Sequence, residues 1–136
     1  MNRTVLVLTD DLFWRTKIDH ALKSSQTPGV FLDTPAEIEK KADPTRVGLV
    51  LIDLALKSDP IAAITALKKA PRTKNIMVVG YCEHKQLELI ERAKKSGCDQ
   101  VLMRSTFSQN LGDIILKYAL PGSVRQESEE VELPEE

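Results

Sequence analysis

Val47-Gly48-Leu49-Val50-Leu51-Ile52-Asp53 is an almost unbroken apolar run that stops abruptly at a carboxylate. A short apolar run rich in β-branched residues and bounded by turn signals marks a strand buried on both faces. In open parallel sheets, ligand and chemistry sites lie just beyond the carboxyl ends of such strands. Asp53 therefore stands either where chemistry happens or as a plain polar stop that ends the strand and caps the next helix.

Working outward, Val5-Leu6-Val7-Leu8 reads as an earlier strand ending at Thr9-Asp10-Asp11. The period then changes: Trp14, Ile18, Ala21 and Leu22 recur on one helical face, with Asp11 as the helix cap. Val30-Phe31-Leu32 is a short second strand. Thr34-Pro35-Ala36-Glu37 is a capping box with proline at the first helical position, and Pro44 stops that helix near Ala42. After Asp53, Asp59-Pro60 repeats the cap-plus-proline signal before a helix carrying Ile61, Ile64 and Leu67, closed by Pro71. Ile76–Tyr81 is a fourth strand, followed by a helix with Leu87, Ile90 and Ala93 on one face and Gly97 at its left-handed terminus. Val101-Leu102-Met103 is a fifth strand ending at Arg104. The last helix buries Leu111, Ile114, Ile115 and Tyr118 and stops before Pro121-Gly122. Five strand–helix alternations with short connections predict a doubly wound α/β fold with a five-stranded parallel sheet, flavodoxin-like in shape.

A chain of 136 residues, 42% hydrophobic and 29% charged, is one soluble domain with a proper core. The net charge of −1 argues against generic affinity for nucleic acid or anionic membrane. It hides an asymmetry. Residues 122–136 carry six Glu against one Arg, and removing that −5 leaves +4 on the remainder. The domain is expected over residues 1–121, with 122–136 an acidic tail too polar to pack, hence disordered. Cys82 and Cys98 lie outside any CxxC or metal-ligand spacing, and no targeting segment opens the chain, which points to free thiols in the cytoplasm. No apolar stretch approaches the ~20 residues that span a bilayer, and no repeat is visible.

The sheet brings Thr9, Asp10 and Asp11, then Asp53, Cys82 and Arg104 to one edge. Carboxylates from neighbouring strands suit a hard cation such as Mg²⁺, a basic side chain suits phosphate oxygens, and a carboxylate can accept a phosphoryl group as nucleophile. Here the chain resembles the receiver domain of bacterial response regulators over residues 3–120. Val5-Leu6-Val7-Leu8-Thr9-Asp10-Asp11 is similar to that family's first strand and acidic cluster, and Gly48 through Leu56 to the segment around the phosphoacceptor. Thr73 through Cys82 matches the fourth strand, and Ser96-Gly97-Cys98-Asp99 the turn into the fifth.

The resemblance implies a non-enzymatic CheY-like protein of two-component phosphorelay signalling, with Asp53 as phosphoacceptor. It implies Mg²⁺ held by Asp10, Asp53 and the backbone carbonyl of Ala55, with Asp11 a further candidate, and Cys82 and Arg104 at the phosphate and switch positions. It implies a histidine kinase or phosphotransfer protein as donor. A downstream protein would bind the face of the fourth helix, fifth strand and fifth helix, which is also the face for any homodimer. Five positions depart from the pattern. Thr9 stands where a second acid is usual, Cys82 where a Thr or Ser reports the phosphate, Arg104 where a Lys contacts it, Ser105 where a proline follows, and Val101 at the aromatic switch. Cys is a poor donor to phosphate, and Lys to Arg changes reach and geometry. Without proline, the Arg104–Ser105 bond is expected trans.

Plainer readings stand beside these. Arg104 is expected to pair with Asp53 or Asp10 and hold the site closed. Cys82 reads as a small half-buried residue and Cys98 as core, while Trp14 is core and Phe13 a rim aromatic. His20 and His84 sit on polar faces. The alternative function is a pseudo-receiver, an interaction module independent of phosphorylation. A third, a small-molecule or nucleotide binder, is disfavoured by the charged Thr9-Asp10-Asp11-Leu12 where a Gly-rich phosphate loop is needed. No DNA-binding output domain is visible, so a signal is expected to leave by contact with another protein.

Overall fold

The computed structural model describes residues 3–83 and 85–119. The expected tail, the domain limit at 121 and His84 lie outside them. The elements run β1 (Thr4–Leu8), α1 (Leu12–Ser24), β2 (Gly29–Leu32), α2 (Pro35–Lys41), β3 (Val47–Asp53), α3 (Pro60–Lys69), β4 (Met77–Cys82), α4 (Leu87–Lys95), β5 (Gln100–Met103) and α5 (Arg104–Ala119). One parallel sheet has the order β2-β1-β3-β4-β5. The winding reverses between β1 and β3, so the carboxyl ends of those two central strands flank the crevice where doubly wound sheets bind ligands.

All seven residues of β3 are buried, and the alternation of its side chains splits the core into two layers. Val50 and Ile52 pack with Ile38, Ile64, Leu67 and Ile90 beneath α2, α3 and α4. Leu49 and Leu51 pack with Trp14, Ile18, Leu111 and Ile115 beneath α1 and α5. By the same alternation Asp53 belongs to the α1–α5 side.

The helix starts follow the local chemistry. Asp11 Oδ1 accepts from the Phe13 N–H at 2.8 Å and the Trp14 N–H at 3.4 Å. Glu37 reaches back to the Asp33 and Thr34 N–H groups, each at 3.1 Å, and these backbone donors hold its carboxyl below the usual range. Asp59 caps α3 through the Ala62 N–H at 3.2 Å. Gly97 takes φ +102 at the end of α4, a conformation that carries no Cβ penalty only in glycine. Lys68 and Asp99, with side chains 11% and 6% exposed, form a buried ion pair that pins α3 to the turn before β5. Lys68 Nζ also donates to the Ile76 carbonyl at 2.7 Å, and Asp99 accepts from the Val78 N–H at 2.8 Å.

Two local expectations are corrected. Leu87 is 70% exposed rather than on the core face of α4; Leu89 packs partly against the core instead. β4 runs one residue later than expected, through Cys82. Helix α5, whose start the sequence left open, follows β5 directly at Arg104.

Candidate functional site

Asp53 ends β3 only 3% exposed. Two donors hold its carboxylate: the Ala55 N–H reaches Oδ1 at 3.0 Å, and Thr9 Oγ1 donates to Oδ2 at 3.3 Å. Thr9, at the end of β1, is itself buried and accepts from the Asp11 N–H at 3.2 Å. Desolvation raises the Asp53 carboxyl above its ordinary value, with the Ala55 N–H, the Arg104 charge and the Thr9 hydroxyl opposing it. The outcome is a buried, oriented carboxylate that no cation contacts among the described residues. Asp10 is exposed beside it.

Arg104 does not pair with Asp53 or Asp10, as the sequence led us to expect. Its Nη1 bonds Glu83 Oε1 at 3.1 Å. The reason lies in the register: Cys82 pairs with Met103, so Glu83 and Arg104 come next across the same two strand ends. Arg104 Nε is buried with no hydrogen-bond partner.

The fold matches solved structures. A chemotaxis response regulator of Vibrio cholerae superposes with TM-score 0.72 at 15% identity, over 85% of this chain and 98% of that one. The receiver domain of a sensor histidine kinase from Pseudomonas aeruginosa, solved with magnesium in its active-site cleft, gives 0.74 at 15% identity, over 87% and 98%. The receiver domain of a Saccharomyces cerevisiae response regulator, co-crystallised with a histidine phosphotransfer protein, gives 0.73 at 15% identity, over 92% and 94%. The fold is that of a response-regulator receiver domain. No protein-family model matches the chain, and no curated protein is significantly similar to it in sequence.

Set on the receiver fold, the acidic edge is reduced. Asp11 is turned to the α1 backbone as its cap, and Thr9 is a neutral hydroxyl. Among the described residues no three His, Cys, Asp or Glu side chains cluster as a metal site. What remains for a cation is Asp53, the exposed Asp10 and the backbone at Ala55. That set fits Mg²⁺, which binds through one or two carboxylates plus phosphate oxygens and keeps several waters. Cys82 is fully rather than half buried and packs in the α2–α3–α4 layer, across the sheet from the Asp53 side. Burial raises its thiol, against the pull of Arg104. Val101 is partly buried against the same layer, and Ser105 is exposed in the first turn of α5. Cys98 is core, as expected, its thiol pushed up to about 12 by burial.

Two residues at the site escaped the sequence reading, Glu83 and Tyr81. Tyr81 is the cross-strand partner of Asp53, is fully buried, and stacks on Phe107 at 4.3 Å with Trp14 at 5.1 Å. Strand alternation was the available signal for Tyr81, and the adjacency of Glu83 and Arg104 at neighbouring strand ends was the signal for the ion pair.

The rim is apolar on one side. Leu12 and Phe13 are 76% and 64% exposed and line a shallow hollow with Thr16 and Lys17 on α1. Among the described residues no helix is long and apolar enough to cross a membrane.

Proposed function

We propose that the chain is a response-regulator receiver whose phosphoacceptor is Asp53, signalling by protein contact rather than by catalysis. The observation that carries this is the state of Asp53: a carboxylate buried to 3% exposure and aimed by two donors. Burying an ion without a partner is costly, and a carboxylate that merely ended a strand would sit in water. Both oxygens are acceptors only, so the ionised group is a competent nucleophile. An Asp53 oxygen attacks the phosphorus of a phosphohistidine. The P–N bond breaks as the O–P bond of the acyl phosphate forms, and the imidazole nitrogen leaves with the electron pair and takes up a proton. Mg²⁺, when held by Asp53, Asp10 and the Ala55 carbonyl, supplies charge neutralisation on the phosphoryl oxygens. Thr9 leaves that hold weaker by one carboxylate. Arg104, released from Glu83, supplies positive charge close by.

The exposed Leu12 and Phe13 beside the site suit a helical phosphodonor, a histidine kinase or a phosphotransfer protein. The yeast receiver's co-crystal with such a protein supports that class of partner. The outgoing partner, or a second copy, would meet the α4–β5–α5 face, where Leu87 is exposed. A cytoplasmic location goes with this role.

The pseudo-receiver reading is favoured by one observation, the Glu83–Arg104 pair, which occupies the cation that a phosphoryl group would recruit. Incubation with phosphoramidate and Mg²⁺, followed by intact-mass measurement beside Asp53→Asn, decides between the two. One phosphoryl increment on the wild type and none on the variant is expected. An unmodified wild type refutes the phosphoacceptor reading and leaves the pseudo-receiver.

A further inference from the structure

We propose that the Tyr81 hydroxyl donates a hydrogen bond to the phosphoryl group carried by Asp53, the task that Cys82 is placed too badly to perform. The inference rests on the reading of Asp53 as phosphoacceptor and adds a residue to it. Tyr81 lies directly across from Asp53 in the β3–β4 register, and its ring belongs to the α1–α5 layer, the side to which Asp53 also turns. The ring is clamped. It stacks on Phe107 at 4.3 Å and 7° and against Trp14 at 5.1 Å. Phe107 and Trp14 stand in the opening turns of α5 and α1, whose N-termini frame the carboxyl edge of the sheet.

That clamp holds a hydroxyl whose nearest polar neighbour is the Thr9 hydroxyl, which already donates to Asp53. The Tyr81 oxygen is buried and makes no hydrogen bond of good distance and angle; the Thr9 hydroxyl is near enough to act on it as a weak, long partner, and the Asp53, Arg104 and Asp11 charges lie at the same edge. A buried hydroxyl left unpaired is destabilising, and phenylalanine would give the same stack without it. Its neighbour Arg104 presents a second buried donor without a partner, Nε. Two donors lacking acceptors beside a carboxylate are complementary to a group that brings three strong acceptor oxygens. Burial first, and the nearby Asp53 charge after it, push the phenol's pKa up against the opposing pull of the Thr9 hydroxyl and Arg104, so it stays protonated and a donor. Cys82, one residue on, points into the opposite layer and carries a weak donor at best.

The test compares wild type, Tyr81→Phe and Asp53→Asn in phosphoramidate and Mg²⁺. Intact mass follows formation of the adduct, and its decay after the reagent is removed. The expected result is that the ratio of formation rate to loss rate falls about tenfold in Tyr81→Phe, as for one lost bond to a charged acceptor. The thermal midpoint of the unphosphorylated variant should equal or exceed that of wild type, because an unsatisfied hydroxyl has been removed. A ratio within about twofold of wild type overturns the proposal while Asp53 keeps its role. A lowered thermal midpoint overturns it too, since the hydroxyl would then be serving the resting fold. No adduct on wild type removes both this inference and the phosphoacceptor reading.

Discussion

Replacing Asp53 by Asn stabilises the resting domain at neutral pH. Taking a carboxylate out of water costs several kcal/mol, even after the protein relaxes around it. A hydrogen bond to a charged group returns about 1.5–3 kcal/mol. Asp53 has two, and the 3.3 Å bond from Thr9 belongs at the low end. The shortfall is on the order of 1–2 kcal/mol. Asparagine keeps the shape, its Oδ1 accepts from the Ala55 N–H, and its amide nitrogen donates to Thr9 Oγ1. For a domain of this size the gain corresponds to a rise of about 3–6 °C in the thermal midpoint.

The pH dependence probes the same balance in a second way. Burial raises the Asp53 carboxyl above its ordinary 3.8. A raised acid contributes stability that is fully present below its unfolded value and is lost as pH rises through its folded value. Wild type carries that loss at neutral pH and Asp53→Asn does not. The variant's advantage is therefore full at neutral pH and fades as the pH falls toward 3.8, where wild-type Asp53 is also neutral. Thermal unfolding of both proteins, followed by far-UV circular dichroism across that range, measures the difference directly, since every other carboxyl is common to the two. A variant less stable at neutral pH, or an advantage that does not change with pH, refutes the account of Asp53 as a desolvated and under-paired charge.

Thr9→Asp puts a second carboxylate against Asp53 and should lower the thermal midpoint in chelator, then recover it in millimolar Mg²⁺; equal midpoints in both media would show that Thr9 is not what weakens the cation site. Glu83→Gln frees Arg104 and, because the pair is 31% and 56% exposed, should change stability by no more than about 0.5 kcal/mol while speeding phosphorylation; a slower reaction would count against Glu83 as a competitor for Arg104. Asp99→Ala strands Lys68 in a buried setting, with an expected loss of about 3–5 kcal/mol in urea unfolding, and a loss under about 1 kcal/mol would mean the pair is solvated. Both thiols are buried and raised, so neither should react with a thiol-specific reagent at neutral pH until denaturant is added; prompt labelling of one cysteine would show that its layer opens.

The fold was legible because its signals are local. The apolar run of β3, the caps at Asp11, Thr34 and Asp59, and the glycine at 97 each act within a few residues, and the structure puts an element where each one points. Leu87 misled because a nine-residue helix offers several leucine faces, and only packing selects Leu89 over it. The site was legible as a set of positions and not as a set of bonds. Asp53 and Thr9 meet because parallel pairing of β1 with β3 brings their carboxyl ends level. Arg104 had three carboxylates within plausible reach, and its choice of Glu83 follows from the pairing of Cys82 with Met103, a tertiary fact.

The same kind of fact separates Cys82 from Tyr81. Two adjacent residues of one strand face opposite layers, and a single residue of register decides which of them shares a side with Asp53. Alignment to the receiver pattern puts Cys82 at the reporting position, yet the β3–β4 register sets Tyr81 opposite Asp53 and sends Cys82 into the far layer. On the proposed reading a thiol at that position would be silent for two reasons, its weak donor strength and its direction. A hydroxyl with the right direction stands one residue earlier. On the proposed reading, whether a phosphoryl group on Asp53 would be sensed therefore turns less on the missing Thr or Ser than on whether the Tyr81 hydroxyl, which makes no well-formed hydrogen bond in the resting state, acquires a strong acceptor there.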